Sequence, residues 1–568
     1  MKVVIIGGVA GGATAAARLR RLDETAEIVI LERTGYVSYA NCGLPYYVGG
    51  VIRAQDALTL QTPESFRARF NIDVRVGHQA LAIHQESHTI TVLDLASGTQ
   101  YVEGYDKLIL SPGARAVKPD LPGVDDCRVF TLRTVEDTLR IRSYIESHRP
   151  RSAVVVGGGF IGLEGAENLL HAGVATTLLQ RSGQVLPPLD WDMAQEVHSY
   201  LRGQGLDLRL NAGVQGFQEM DGQFYTLVKD SAPIPSDLVL LAIGVTPESD
   251  LAREAGLTLG AKGAIVVNEH MVTSDPDIYA VGDAVELTHF VSGSKALIAL
   301  AGPANRQGRI AADHICGRKS RYAGAQGSSI IKLFHMTAAS TGLNEKAAQA
   351  AGIPYDKAVT YSASHATYYP GAENMTIKTL FDPSSGRVLG AQIVGFGGVD
   401  KRIDVLATAI RARMTAAELT ELDLAYAPPY SSAKDPVNMA GYVIENLRNG
   451  AISQFHWSDV ESIPKDGSVT LLDVRTPQEV AVQGLIRPDA VNIPVDELRD
   501  RMGELDPSKP VYVNCYSGLR SYLACRMLGQ RGFQCSHLSG GWRFWSYVTT
   551  DRTHEAAPTH PCGAEIEE

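Results

Sequence analysis

The sequence predicts an α/β chain of several domains built largely on parallel sheets, and three observations carry that prediction. Near the N-terminus a short apolar strand (residues 3–6) runs into a glycine turn, a helix (13–22) and a second strand (28–31) that ends at Glu32. The same order returns as strand 153–156, turn 157–162, helix 163–171 and strand 175–179. From Trp457 onward a smaller α/β unit contains an apolar strand at 511–514 followed by a helix. At 568 residues the chain is too long for one core and predicts three or four domains.

Composition narrows the class. A hydrophobic content of 45% with 7% aromatic residues is ordinary for a globular α/β protein, and the net charge of -11 argues against nucleic acid or an anionic membrane as the main partner. Seven scattered cysteines suit thiol chemistry in a reducing compartment better than a disulfide framework. The apolar start MKVVIIGGVAGG ends in glycines and leads into an Arg-rich helix, unlike a secretion signal. No apolar run is long enough to span a bilayer, so the chain reads as cytoplasmic.

Each glycine turn has its own chemistry. In the second, Gly157 makes the turn, Gly159 lets a pyrophosphate approach and Gly162 packs helix on strand, with Phe160 and Ile161 opening the helix whose N-terminus faces the phosphates. In the first, Gly7 and Gly12 are present but Val9 takes the middle place, and Glu32 can accept the hydroxyls of an adenosine ribose. Two units imply two nucleotides. Gln180, followed by Arg181, stands where an acid would select NAD, so NADH and NADPH both remain open. Residues 238–244 and 278–283 read as returns that close the first sheet. Gly282 and Asp283 could hold a flavin's ribityl chain or form an ordinary strand-to-helix turn.

Cys42 lies in SYANCGLPYY with Tyr47 five residues on, where dithiol flavoenzymes carry a second cysteine. A solitary thiol must hold oxidised sulfur as a mixed disulfide, a persulfide or a sulfenate. Single-cysteine peroxidases and oxidases place a histidine in the first glycine turn; here that position is Ala10, which weighs against peroxide chemistry.

GGVAGGATAAARLRRL, SYANCGLPYY, YDKLILSPGA, IYAVGDAV, SHATYYPGAE, DKRIDVL and YAPPYSSAKDP together resemble the coenzyme A-disulfide reductases of the pyridine nucleotide–disulfide oxidoreductase family. With a rhodanese-like unit behind them, the chain resembles the NADH-dependent persulfide reductases. The resemblance implies an FAD-binding domain (1–115 and 241–322) and an NAD(P)-binding domain (116–240). It further implies an α+β dimerisation domain (323–450), a linker (451–456), a rhodanese domain (457–550) and a flexible tail (551–568). It implies a homodimer acting on a small thiol or persulfide, with FAD, NADH or NADPH, and coenzyme A as substrate or ligand. Cys42 matches the redox cysteine, and Tyr368 and Tyr426 match tyrosines supplied across the dimer. Arg33, Asn41, Pro112, Gly113 and Gly244 join the residues above as cofactor contacts. Arg18, Arg21, Ser38, Asn41 and Lys434 match positions that contact coenzyme A, and Asn305 stands where some relatives place a substrate-contacting histidine. From the residues alone, Arg18 and Arg21 could equally be a solvated basic face, and both tyrosines could be core.

In the C-terminal unit Cys515, at a strand end, begins a loop that reaches Arg520. Backbone N–H groups curling round a thiol make an anion cradle that lowers its pKa and stabilises a persulfide. LLDVR (471–475) and LSGGW (538–542) complete the resemblance to rhodanese, while GLIRP (484–488) departs from its usual Gly-His-Ile. Four residues between Cys515 and Arg520 favour sulfur, because phosphate needs a longer loop. Cys525 and Cys535 read as packing residues, and Cys562 in the tail as a sulfur relay or nothing.

Overall fold

The computed structural model describes residues 1–550; the tail expected to be flexible, with Cys562, lies outside the described residues. The chain divides into two compact units, Met1–Val185 with Leu206–Gly327, and Leu186–Gly205 with the chain from Ser328 on.

The first unit holds two five-stranded parallel sheets. One has the order Ile278–Ala280, Lys107–Leu110, Lys2–Ile6, Glu27–Glu32, Asp73–Val76. Its strands are near-continuous Val, Ile and Leu because both faces are covered, one by helices and the other largely by the antiparallel strands His78–His84 and Thr89–Asp94. The other has the order Asp207–Arg209, Ala175–Leu179, Ser152–Val156, Leu238–Leu241, Val129–Thr131. Strand 238–241 therefore lies inside the second sheet, between Ser152–Val156 and Val129–Thr131, and not in the first as expected; only 278–280 closes the first. Adjacent parallel strands need a crossover, and the lengths of chain before each return permit this sorting.

The second unit holds a five-stranded antiparallel sheet, Ser329–Leu333, Met336–Gly342, Val388–Gly395, Asn374–Phe381, Asp356–Ala363. It also holds a parallel sheet ordered Ser453–Phe455, Cys535–Leu538, Val511–Asn514, Thr470–Asp473, Val491–Asn492. Two boundaries shift. Residues 453–455, expected in a linker, form the edge strand beside Cys535–Leu538 and bury Phe455. The helix Trp191–Gly203, expected in the nicotinamide domain, belongs to the second unit. Its Glu196 accepts from Thr376 Oγ1 at 2.6 Å, and its Asp192 accepts from Lys378 Nζ at 2.7 Å and Trp457 Nε1 at 3.1 Å. Lys378 is fully buried among Asp190, Asp192 and Glu345, and their charges hold its ammonium well above the ordinary lysine range. Arg543, on the last helix, pairs with Glu196 at 3.3 Å. Among the described residues no helix is long and apolar enough to cross a membrane.

Candidate functional site

The two glycine turns have one geometry. Gly7 N–H donates to Leu31 O at 2.9 Å, and Gly157 N–H to Leu179 O at 2.8 Å. Both glycines have positive φ, +95° and +111°. A methyl on Gly7 would lie 2.1 Å from Ser111 O, and one on Gly157 would lie 2.3 Å from Ala242 O. The loops Ser111–Pro112–Gly113 and Ala242–Ile243–Gly244 thus cross above equivalent turns. Methyls on Gly12 and Gly162 would each fall 1.9 Å from the carbonyl of the first glycine, so helix and turn touch only because both are glycine. Gly159 differs: a methyl there meets nothing within 4 Å, and its φ of -83° suits any residue. The open space is what a phosphate would fill. Val9 is tolerated in the first turn for the same reason, with φ at -102°.

Glu32 and Gln180 occupy matching strand ends. Glu32 Oε2 accepts from Gly8 N–H at 2.9 Å and Oε1 from Thr34 N–H at 2.9 Å. Gln180 Oε1 accepts from Gly158 N–H at 3.1 Å, while its amide nitrogen donates to Ser182 Oγ and Gln184 O. Arg33 pairs with Glu248 and stands at the surface. Gly282 N–H donates to Gln307 Oε1 at 2.8 Å, presenting Asp283 to Arg133 Nη2 at 2.7 Å. With its amide nitrogen turned to Arg133 O (3.1 Å) and its oxygen to Arg133 Nη1 (3.2 Å), Asn41 bonds that arginine twice. Arg133 therefore ties the Asp283 turn to the Cys42 segment, a link the sequence reading missed.

Cys42 lies in the short 3-10 turn Asn41–Gly43, capped by Gly43 N–H to Ala40 O, and leads into the helix Leu44–Val48. It is exposed, yet the protein wall beside it and the nearby Glu164 push its thiol up; Arg133 opposes them. Tyr47, at the missing-cysteine position, lies under the Arg142 guanidinium, 5.8 Å from ring centroid to carbon. Glu164, on the helix Phe160–His171, accepts from Tyr46 OH at 3.2 Å. Burial pushes its carboxyl up to about 7, against that hydrogen bond. A polar residue within FIGLEGAENLL was the available signal, and the sequence reading passed over it.

The residues expected to meet coenzyme A divide between structural pairing and exposure. Arg18 pairs with Asp313 at 2.7 Å, and Thr14, one turn earlier, donates to Asn305 Oδ1 at 2.8 Å, so both contacts pin the helix Ala10–Leu22 to Ala301–Ile315. Arg21 is exposed. Ser38 has φ at +47° and donates its N–H to Gly8 O at 2.8 Å, which places it beside the first glycine turn. Lys434, in the second unit, is exposed. Tyr368 and Tyr426 share a hydrogen bond at 2.9 Å between phenols, and Tyr368 is 75% exposed. Core packing is thereby excluded for Tyr368.

In the C-terminal unit Cys515 is buried; its Sγ accepts from Gly518 N–H at 3.1 Å and donates to Ser521 Oγ at 3.4 Å. Gly518 has φ at +109°, which turns its N–H toward the sulfur. Arg520 is held bidentate by Glu479 at 2.6 and 2.7 Å. The LLDVR segment is structural: Arg475 is fully buried, bidentate on Asp473 and 4.9 Å from the Trp542 ring centroid. Leu485 takes the histidine place of Gly-His-Ile, and Arg487, just after Ile486, donates to Ile463 O at 2.7 Å and to Asp489.

Comparison with known proteins agrees with this construction. Residues 1–308 match the pyridine nucleotide-disulphide oxidoreductase model, residues 328–436 its dimerisation domain and residues 457–547 the rhodanese-like domain. The coenzyme A disulfide reductase of Staphylococcus haemolyticus (strain JCSC1435) is 37% identical over 447 residues, 78% of this chain and 100% of that protein. Among solved structures, reduced Bacillus anthracis CoADR-RHD is 47% identical with a TM-score of 0.94, covering 96% of this chain and 98% of that one. The NAD-dependent persulfide reductase from A. fulgidus is 38% identical with a TM-score of 0.89, covering 96% and 100%. Paired glycine turns, the lone Cys42 and these matches together make the chain a member of the pyridine nucleotide-disulphide oxidoreductase family, with a rhodanese-like domain at its C-terminal end.

Proposed function

We propose that the chain is an FAD-dependent NAD(P)H oxidoreductase that reduces coenzyme A persulfide, or related low-molecular-weight persulfides and polysulfides, and releases sulfide. The observation that carries this reading is one chain holding a solitary thiol at Cys42 beside two nucleotide turns and a second thiol, Cys515, in an anion cradle. Bound FAD supplies the two-electron link between NAD(P)H and sulfur. The Cys42 thiolate attacks the outer sulfur of the persulfide; coenzyme A leaves as the thiol, and Cys42 is left as a persulfide. Two electrons and a proton then return Cys42 to its thiolate and release HS⁻. Glu164, with its carboxyl near neutrality, and the Tyr46 phenol can hold or give a proton on the Cys42 side. Tyr368 and Tyr426, exposed and paired, suit donation to a thiolate across a homodimer interface, which the matched dimerisation domain supports. Arg21, Ser38, Lys434 and, if it releases Asp313, Arg18 are the proposed coenzyme A contacts. Cys515 would carry sulfane sulfur and raise its concentration near the reductase site. The enzyme's proposed compartment is the cytoplasm.

A second reading is favoured by the coenzyme A disulfide reductases that match 78% of the chain: reduction of the symmetric disulfide, with the rhodanese domain acting separately. Steady-state kcat/KM for both substrates on the parent, Cys42→Ser and Cys515→Ser separates them. Cys42→Ser is expected to lose about a hundredfold or more with either substrate. A Cys515→Ser loss confined to the persulfide supports the first reading; no loss with either substrate supports the second. Full turnover in Cys42→Ser sinks both.

A further inference from the structure

The C-terminal sheet holds a pair of thiols that the chemistry at Cys515 does not use. Cys535 opens the strand Cys535–Leu538, in register with Val511, and Cys525 lies on the helix Leu519–Gly529, which packs on that strand. Residues four apart share a helix face, so Cys525 follows Ser521, whose Oγ lies 3.4 Å from Cys515 Sγ. Cys515, Cys525 and Cys535 sit in one apolar cluster with Val511, Val513 and Leu528. Within that cluster Cys535 is the largest influence on the Cys525 thiol and pushes it up, while Cys525 pulls Cys535 down, making Cys535 the more readily ionised sulfur. Cys535 is also partly exposed, whereas Cys525 is buried.

We propose that Cys525 and Cys535 form a second redox centre of this chain, a dithiol that closes to an intrachain disulfide on meeting low-molecular-weight disulfides. The Cys535 thiolate attacks one sulfur of RS–SR, and RS⁻ leaves with the electrons of the broken bond. Cys525 then gives up its proton, attacks the Cys535 sulfur and expels the second RS⁻. The two cysteines together lose two electrons and two protons; one RS–SR becomes two RSH. The closed bond ties the helix that carries Arg520 and Ser521 to the strand Cys535–Leu538, so it restrains the loop around Cys515.

Full-length protein incubated with 2-hydroxyethyl disulfide, alkylated under denaturing conditions and digested without reduction tests the proposal by mass spectrometry. The expected product joins the Cys525 and Cys535 peptides and lacks their thiol hydrogens. Cys525→Ser should trap the reagent on Cys535 as a mixed disulfide, and Cys535→Ser should leave Cys525 free. The crosslink should form unchanged in Cys42→Ser and in Cys515→Ser. A crosslink from Cys515 to Cys525, or both thiols still alkylated once Cys42 carries the reagent, overturns the proposal. The crosslink position in the parent decides the matter even where a serine variant fails to fold.

Discussion

In the first nucleotide unit Gly8 N–H is bound by a carboxylate, Glu32; in the second, Gly158 N–H is bound by an amide, Gln180. The turns beneath are otherwise superimposable in their contacts, down to the carbonyl each third glycine would strike. The comparison separates what the backbone needs from what the ligand needs. The turn needs an acceptor oxygen at the second strand's end, and a neutral amide supplies it as well as an acid. In the function proposed above, the charge at Glu32 would serve ribose hydroxyls, and its absence at Gln180 would remove repulsion from a 2′-phosphate. The middle position tells the same story. Neither Val9 nor Gly159 has a strained φ, so backbone geometry does not call for glycine at 159, and the close approach of a pyrophosphate is the proposed reason for it.

The sharpest test sets two glycines of one turn against each other. Gly162→Ala drives a methyl into Gly157 O, and we expect a loss of about 3 kcal/mol in chemical denaturation. Gly159→Ala should melt like the parent and instead raise KM for the nicotinamide nucleotide; equal melting losses would erase the distinction. Exchanging the acceptors comes next. Gln180→Glu should shift the NADPH to NADH ratio of kcat/KM about tenfold toward NADH, or about 1.4 kcal/mol. Glu32→Gln should keep the Gly8 bond yet hold FAD more weakly by roughly 1 kcal/mol, read by equilibrium dialysis.

The smallest effect concerns Glu164. Its carboxyl is raised from 4.5 to about 7, so the fold favours the protonated form. The stability it contributes is complete below pH 4.5 and is lost as pH rises through about 7. Glu164→Gln should flatten that slope. It also removes a charge that opposes the Cys42 thiolate, so alkylation of Cys42 at pH above 7 should quicken about two- to threefold. Unchanged alkylation would place Glu164 outside the thiol's electrostatic reach.

Periodicity and glycine spacing disclosed the strands 2–6, 27–32, 152–156 and 175–179 to within a residue, because each is a run of apolar side chains with both faces covered. The first helix starts at Ala10, earlier than expected, since Ala13 N–H already bonds Val9 O at 2.9 Å. What stayed hidden depends on pairing at a distance. Nothing local tells strand 238–241 which sheet to join, and nothing near Cys525 announces Cys535 across the helix–strand contact. Arg133 was invisible for the same reason: its partners Asn41 and Asp283 come from opposite ends of the first unit's sequence.

The excursion of residues 186–205 has a practical meaning. The chain leaves the nicotinamide unit after Val185 and rejoins it at Leu206, having spent a helix elsewhere whose Met193, Val197, Tyr200 and Leu201 are buried. A gene fragment cut at the apparent borders of that unit would carry an orphaned apolar helix, leave Lys378 with Glu345 alone and deprive Arg543 of Glu196. Shuffling or truncation libraries for this architecture should therefore breakpoint inside the unit, at 185 and 206, and not around it.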